Sequence, residues 1–339
     1  MSIQIHFDKF HSKIKLSRQD AAYKKARERD DSITKDVKTS FKEAGYAVTS
    51  DFIQGSHSTC TAIVPLSGDY DIDRALVIDA ADAPANPVEP KKNALDVLEK
   101  RGFKNAKIKK PCVTADYQSD NVHIDFAIYK KNSDQHYLAV GKKNSDENNR
   151  EWSASDPRGL IDWVNDSSVH GGSTQVHDQF RRLVRYEKRW RDNTFSEAVA
   201  AKIFSIGLTV MVREQFVPCF TEEGFRNDLT SLRITVSRIL DAGYFSSVGV
   251  GRYNVQVLLP VKPWRDIFHN TSVETATQFR NKLHTMKAKL QKAEALDDER
   301  EQCKILNELF GDDFVVPDSG KMQKAVYSSA GAVGHSQGA

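Results

Sequence analysis

Cysteine is scarce and scattered. The 339-residue chain has four, Cys60, Cys112, Cys219 and Cys303, with no CxxC pair among them. That argues against a zinc site and fits a reducing, cytoplasmic setting. The ten histidines form no HExxH or HxH cluster, so histidine-ligated metal chemistry is not indicated. No stretch approaches the roughly 20 apolar residues that a helix needs to cross a bilayer, and no membrane partner is expected. The opening, MSIQIHFDKFHSKIKLS, carries charges throughout and lacks an apolar centre, so no targeting signal is expected. A net charge of +3 is too weak to argue for nucleic-acid binding by itself. There is no internal repeat. VGVGRY lacks both the GxGxxG pattern and a following helix, and reads as a turn-rich connection.

What is present is enough apolar material, 39% hydrophobic against 28% charged residues, to build one large domain or two lobes sharing an interface. A long helix is expected from about Ser17, its N-cap, to about Ala44, stopped by Gly45. AVTSDFIQ reads as a short strand leading to Gly55-Ser56, and DYDIDRALVI as a second strand. After the proline-rich loop DAADAPANPVEP comes a helix from about 91 to 100, closed by Gly102. NAKIKKPCVTADY and NVHIDFAIYK read as a strand pair joined by 118–120. In the second of these, Val122, Ile124, Phe126 and Ile128 share one face, and His123, Asp125 and Ala127 the other. From about Asp156 the pattern turns helical, with helices expected over 156–167, 174–192, 195–213, 222–242, 272–295 and 298–309. An extended stretch, VGVGRYNVQVLLPVKPW, interrupts them. The Gly-, Ser- and Ala-rich tail after Phe314 is expected to be disordered.

The chemistry concentrates in GSHSTCTAIVPLSGDYDID, residues 55–73. Positions i and i+2 of a strand share a face, so Asp71 and Asp73 point together. Two unscreened carboxylates that close push one pKa up. A divalent cation removes the conflict, and Mg²⁺ prefers hard oxygen ligands together with substrate phosphates. Asp125, on a later strand, completes a set of three acids able to hold two ions, which clamp the attacking and leaving oxygens of an in-line displacement. Glycine at 55 lets the backbone approach a ligand, and the Ser56 hydroxyl with nearby N–H groups suits a phosphate. Alone, a Gly-Ser is usually a turn and a DxD a solvated strand edge; the combination with a distant Asp in an apolar strand is much rarer.

Gly-Ser, then DYDIDRALVI, then VHIDFAIY resembles the polymerase-beta-type nucleotidyltransferase superfamily. RRLVRYEKRWRD (181–192) resembles the central helix shared by oligoadenylate synthases and cGAS/DncV-like enzymes, and KIFSIGLTVMVREQF (202–216) the helix after it. The segment from Ser272 to Phe314 resembles the closing helices of the bacterial members. The likeness runs from about residue 10 to 316, so the chain is identified as resembling the bacterial cGAS/DncV-like nucleotidyltransferases, or CD-NTases, of antiphage (CBASS) signalling. It implies an α+β, two-lobed fold: a mixed sheet with a long spine helix over 1–150, a helical lobe over 151–316, and a flexible tail over 317–339.

The resemblance implies a template-independent enzyme that joins nucleoside triphosphates, ATP among them, into a cyclic di- or trinucleotide that activates an effector. A linear oligonucleotide synthase and another nucleotidyltransferase acting on tRNA or protein are the alternatives, with a catalytically dead nucleotide-binding module the least favoured of them. By it, Gly55 and Ser56 contact the donor phosphates, and Asp71, Asp73 and Asp125 hold Mg²⁺ or Mn²⁺. Asp125 also helps activate the attacking ribose hydroxyl, while Lys188 and Ser205 contact the triphosphate. Ile206 stands where relatives often place an aromatic ring against the base, so base packing must come from elsewhere. Asp69 is an auxiliary acid candidate in a Ser56-to-Asp71 interval slightly longer than in the animal enzymes. No Cys/His insertion supports direct DNA sensing.

Arg181, Arg182, Arg185, Lys188, Arg189 and Arg191 form a strongly basic helix. Most of them read as a solvated face, with Arg185, Lys188 and Arg191 able to form a cationic stripe toward the cleft. Arg182, Arg185 and Arg189 read as surface charges or partner contacts. His123 reads as a satisfied side chain beside the acids. Trp152, Trp163, Trp190 and Trp264 read as core or lobe-interface anchors. The small C-terminal residues Gly338 and Ala339 leave open a conjugation handle as the alternative to plain disorder.

Overall fold

The computed structural model describes residues 3–17, 19–66, 70–117 and 122–318. In chain order these form α1 (Gln4–Ile14), α2 (Ala21–Glu43), β1 (Val48–Ile53), the one-turn α3 (Gly55–Ser58), β2 (Tyr70–Asp79) and α4 (Val88–Lys100). Then come β3 (Lys107–Ile108), β4 (Val113–Tyr117), β5 (Val122–Asn132), β6 (Gln135–Val140) and β7 (Glu151–Ser155). Beyond these lie α5 (Pro157–Asn165), α6 (Thr174–Thr194), α7 (Glu197–Ala200), α8 (Ser205–Gln215) and α9 (Asp228–Asp241). A hairpin of β8 (Phe245–Gly249) and β9 (Arg252–Val255) precedes α10 (Val273–Glu294) and α11 (Glu299–Phe310).

The sheet runs β1-β2-β5-β4-β3, with β6 added to β5 and β7 to β6. The β2–β5 pair is parallel and the other pairs antiparallel, so the sheet is mixed. Alternation along β2 and β5 sorts their side chains. Ile72, Leu76, Ile78, Val122, Ile124, Phe126 and Ile128 pack under α2 and α4 with Ile33, Val37, Phe41, Leu95 and Leu98. The opposite face carries Asp71, Asp73 and Asp125 at one end and the small cluster of Ala75, Val77, Ala127 and Tyr129 at the other.

One carboxylate is buried among the described residues of the spine helix. Asp30 of α2 is fully enclosed and receives the Arg74 guanidinium, which also donates to Asp51 at 2.6 Å and Asp31 at 2.5 Å. Arg74 is the next residue after Asp73 on the opposite face, so the strand is tied to α2 directly behind its second acid. A charge removed from water at this depth is tolerated only with partners on several sides.

A second core holds the helices from α5 onward together. It also takes Phe7, Phe10 and Ile14 of α1. The first helix, which a division at residue 150 groups with the sheet, buries its apolar face among the later helices.

Several sequence expectations need correction. The spine helix starts at Ala21 behind Asp20 rather than at an N-cap Ser17. Gly55-Ser56 opens a helical turn instead of a plain turn. The helix expected over 195–213 is two, broken near Ala201–Phe204. β6, β7 and α1 were not foreseen, because their polar and charged residues hide the apolar pattern. Trp264 is 56% exposed and anchors nothing, whereas Trp190 is in the core. The 118–120 connection, Asp69 and the tail from 319 fall outside the described residues. Among the described residues, no helix is long and apolar enough to cross a membrane.

Candidate active site

The seven candidate residues meet at one place. Gly55, Ser56, Asp71, Asp73, Asp125, Lys188 and Ser205 all line a single cavity of about 620 Å³ between the acid face of the sheet and the helices.

Strand register brings the acids together. Asp71 and Asp73 project from one face of β2, and Asp73 lies beside Asp125 in the parallel β2–β5 ladder. Gly55 fits against this strand. Its φ is +65°, and a β-carbon there would lie 2.1 Å from Asp73 Oδ2. Only glycine meets both demands. The Gln54 N–H donates to the Asp73 carbonyl at 2.9 Å, fixing the approach. Burial, then the Asp125 and Asp71 carboxylates, push Asp73 up to about 6, against the pull of Lys109 and Lys188. Such crowding of like charges raises an acid's pKa when no cation intervenes.

Asp125 has close neighbours that sequence reasoning missed. Its register partner Thr114 donates a 2.5 Å hydrogen bond to Oδ1. The Lys109 ammonium lies 3.3–3.4 Å from both carboxylate oxygens. Thr114 was legible as an alternate-face residue of VTADY; the reach of Lys109 was not. His123 sits beside Asp71 in the ladder, with Nδ1 3.5 Å from Asp116. Among the described residues, no three His, Cys, Asp or Glu side chains close into a preformed metal cage; the acids share a cavity without converging on one point.

The reading of α6 as mostly solvated is overturned. Arg182, Arg185, Lys188 and Arg189 are all buried. Arg182 is held by Asp228 at 2.7 Å and Asp8 at 2.5 Å. The other three grip the segment that follows α3. Arg185 donates to the carbonyls of Cys60 and Ala62, Lys188 to that of Thr61 at 3.0 Å, and Arg189 to that of Val64. The basic helix is therefore a row of donors matched to the carbonyls of a stretch of backbone that lies outside the sheet and is otherwise tied by a bridge to the end of α1, at Lys15, and by local turns. Lys188 also donates to Thr61 Oγ1 at 3.1 Å, and burial with the nearby Arg191 and Arg185 lowers it to about 7.

Ser205 opens α8, and its hydroxyl accepts a 2.8 Å hydrogen bond from Arg191. Arg191, paired with Asp192 at 2.7 Å, lines the cavity as well. The opposite wall is aliphatic, with Leu160, Ile161, Ile206, Leu259 and Val261. The apolar surface that an aromatic ring would offer at 206 is here assembled from several side chains.

The Second Messenger Oligonucleotide or Dinucleotide Synthetase (SMODS) domain model matches residues 1–167. The Bradyrhizobium diazoefficiens CD-NTase CdnG, solved in complex with GTP, superposes with a TM-score of 0.67 at 15% identity, over 93% of this chain and 97% of that one. Residues 1–167 thus carry the SMODS match, and the whole chain shares the fold of the cGAS/DncV-like structures. The Vibrio cholerae DncV cyclic AMP-GMP synthase, in complex with the linear intermediate 5′ pppA(3′,5′)pG, matches this chain with a TM-score of 0.60. That match is 19% identical and covers 93% of this chain and 82% of DncV. A cyclic GMP-AMP synthase of Escherichia coli is 24% identical over 197 residues, which are 57% of this chain and 41% of that protein. The chain thus spans less than half the length of the curated relatives it matches. The fold is the expected α+β one, a mixed sheet with its spine helix and a helical bundle.

Proposed function

We propose that this chain joins nucleoside triphosphates, ATP among them, into a cyclic di- or trinucleotide messenger that switches on an antiphage effector in the cytoplasm. The observation that carries the reading is the single cavity that gathers the Gly55-Ser56 turn, three aspartates on adjacent strands, and a cationic wall formed by Lys188 and Arg191. The named relatives, a CD-NTase with GTP and a synthase holding a linear intermediate, support it.

The donor set fits a hard divalent ion. It is all oxygen, two of its members share a strand face, and Asp73 is already raised to about 6, by burial first and then by its like-charged neighbours. Asp71, Asp73 and Asp125 would hold Mg²⁺ or Mn²⁺, which when bound supplies positive charge to the phosphate oxygens.

The chain's own groups do the rest. Gly55 and Ser56 bind the donor phosphates. Lys188, Arg191 and Ser205 face the triphosphate and stabilise the charge that develops as pyrophosphate leaves. Asp125, oriented by Thr114, accepts the proton of the attacking ribose hydroxyl. The aliphatic wall around Ile206 packs the bases and excludes water. One ribose oxygen–phosphorus bond forms and one α–β phosphoanhydride bond breaks at each step; a final intramolecular step closes the ring.

The test is incubation of purified enzyme with all four radiolabelled nucleoside triphosphates and Mg²⁺ or Mn²⁺, followed by phosphatase treatment and mass spectrometry. A phosphatase-resistant cyclic product is expected. A product that loses terminal 5′-phosphates to the phosphatase would assign a linear synthase instead.

A further inference from the structure

An ammonium with three donors and no carboxylate partner is buried on α4. Lys91 is 1% exposed, and its Nζ donates to the carbonyls of Lys109 at 2.7 Å, Lys110 at 2.8 Å and Gly141 at 2.7 Å. Burial lowers it to about 8. Enclosing an ammonium costs several kcal/mol unless its donors are met, and here all three are spent on one short turn and the strand end beside it. The same turn is tied twice more. The Lys109 N–H donates to the Cys112 carbonyl at 2.9 Å, and the Gly141 N–H to the Lys110 carbonyl at 3.0 Å.

This much fixation is out of proportion for a β3–β4 connection on its own. What the turn delivers is Lys109, which lines the cavity with its ammonium against both oxygens of Asp125. Asp125 is thereby held facing the cleft from two sides, by Thr114 and by a cation of fixed origin. The neighbouring Asp73 and Asp71 would otherwise repel it toward another rotamer.

We propose that Lys109 is a positioning residue that stands in for the divalent ion at Asp125. It keeps the third acid in place, aimed at the cavity, and yields when the ion arrives. Lys91 is the anchor that sets its reach. The inference rests on the proposed nucleotidyl transfer, because it assigns the ion to the same three aspartates.

The test measures binding of Mn²⁺ alone to the full-length protein by electron paramagnetic resonance, with melting temperature recorded in parallel. Lys109→Met should bind Mn²⁺ about five-fold tighter than wild type, because a competing positive charge has gone. Lys109→Arg should stay within about two-fold of wild type, since the charge persists. Lys91→Met should move Mn²⁺ affinity in the same direction as Lys109→Met, because the released turn no longer presents the ammonium. Unchanged or weaker Mn²⁺ binding by Lys109→Met overturns the proposal. A Lys91→Met protein that melts earlier with wild-type Mn²⁺ affinity overturns the anchoring role. If wild type and Asp73→Asn bind Mn²⁺ equally or not at all, the proposed reaction itself falls, and this inference with it. If Asp73→Asn loses the ion while Lys109→Met changes nothing, only the role of Lys109 fails.

Discussion

Two charged elements meet at the cavity, and the fold treats them in opposite ways. On α6, four cations are buried, and each is met by oxygens from elsewhere in the chain: carbonyls of 60–64 for Arg185, Lys188 and Arg189, carboxylates for Arg182. On β2 and β5, three like charges are gathered on one face of the sheet, where burial and then the neighbouring carboxylates raise Asp73 to about 6. Charge answered within the chain is scaffold. Charge concentrated against itself, at the edge of a cavity, awaits a ligand. Charge count alone does not separate the two, and the more cationic element turns out to be the more structural.

The comparison breaks most visibly at the acids. Asp71→Asn together with Asp73→Asn should reduce nucleoside triphosphate consumption to background without lowering the melting temperature, because relief of self-repulsion offsets lost contacts. Continued turnover of radiolabelled substrate would remove the acids from the chemistry. The opposite signature is expected at α6. Arg182→Met leaves Asp228 buried without its cation, although Gln4, Gln179 and Tyr186 still donate to it, and should cost about 3 kcal/mol in a urea titration; an unchanged midpoint would mean that the guanidinium is dispensable scaffold.

Glu187 tests the rule at a single position. It lies on α6 between the gripping cations, both its oxygens are without a hydrogen-bond partner, and burial raises it to about 8. The folded state therefore keeps a proton that the unfolded chain releases near the ordinary glutamate value. Stability from this group is fully present below about 4.5 and is lost as pH rises through about 8. Glu187→Met should flatten the decline in stability between those pH values and gain on the order of 2 kcal/mol at pH 8. Parallel pH profiles for mutant and wild type would show that the carboxyl is solvated.

Lys188 sits on the boundary between the two classes, held by Thr61 yet lining the cavity. Lys188→Met should raise the apparent KM for nucleoside triphosphate about ten-fold, equivalent to about 1.4 kcal/mol, and cost less in stability than Arg182→Met. A fall in melting temperature with an unaltered KM would move Lys188 wholly into the scaffold.

The acid face was legible because a strand has a period of two. Once Ile72, Leu76 and Ile78 are read as buried, Asp71 and Asp73 must point the other way, and the same logic orients Asp125 against Ile124 and Phe126. The SMODS match and the structural neighbours bear out the family and the fold that those motifs suggested. The fate of the α6 charges was not legible. The acceptors of Arg185, Lys188 and Arg189 are backbone carbonyls more than a hundred positions earlier, and a carbonyl leaves no mark in the residue letters. Lys91 and Lys109 were hidden for the same reason: one answers carbonyls, and the other reaches its carboxylate only because a turn is pinned from outside. The break between α7 and α8 was missed because the apolar spacing continues through Ala201–Phe204 while the backbone does not.

The grip of α6 on residues 60–64 also bears on where this molecule can be cut. The family model ends at residue 167, ahead of α6. A fragment trimmed there would keep all three aspartates and the Gly-Ser turn. It would also lose the guanidinium and ammonium groups that hold the carbonyls of 60–64, and leave Phe7, Phe10 and Ile14 of α1 with no surface to pack on. The segment that recurs as a unit across proteins is therefore not the segment that folds as a unit in this one, and a minimal catalytic fragment has to carry its grip along.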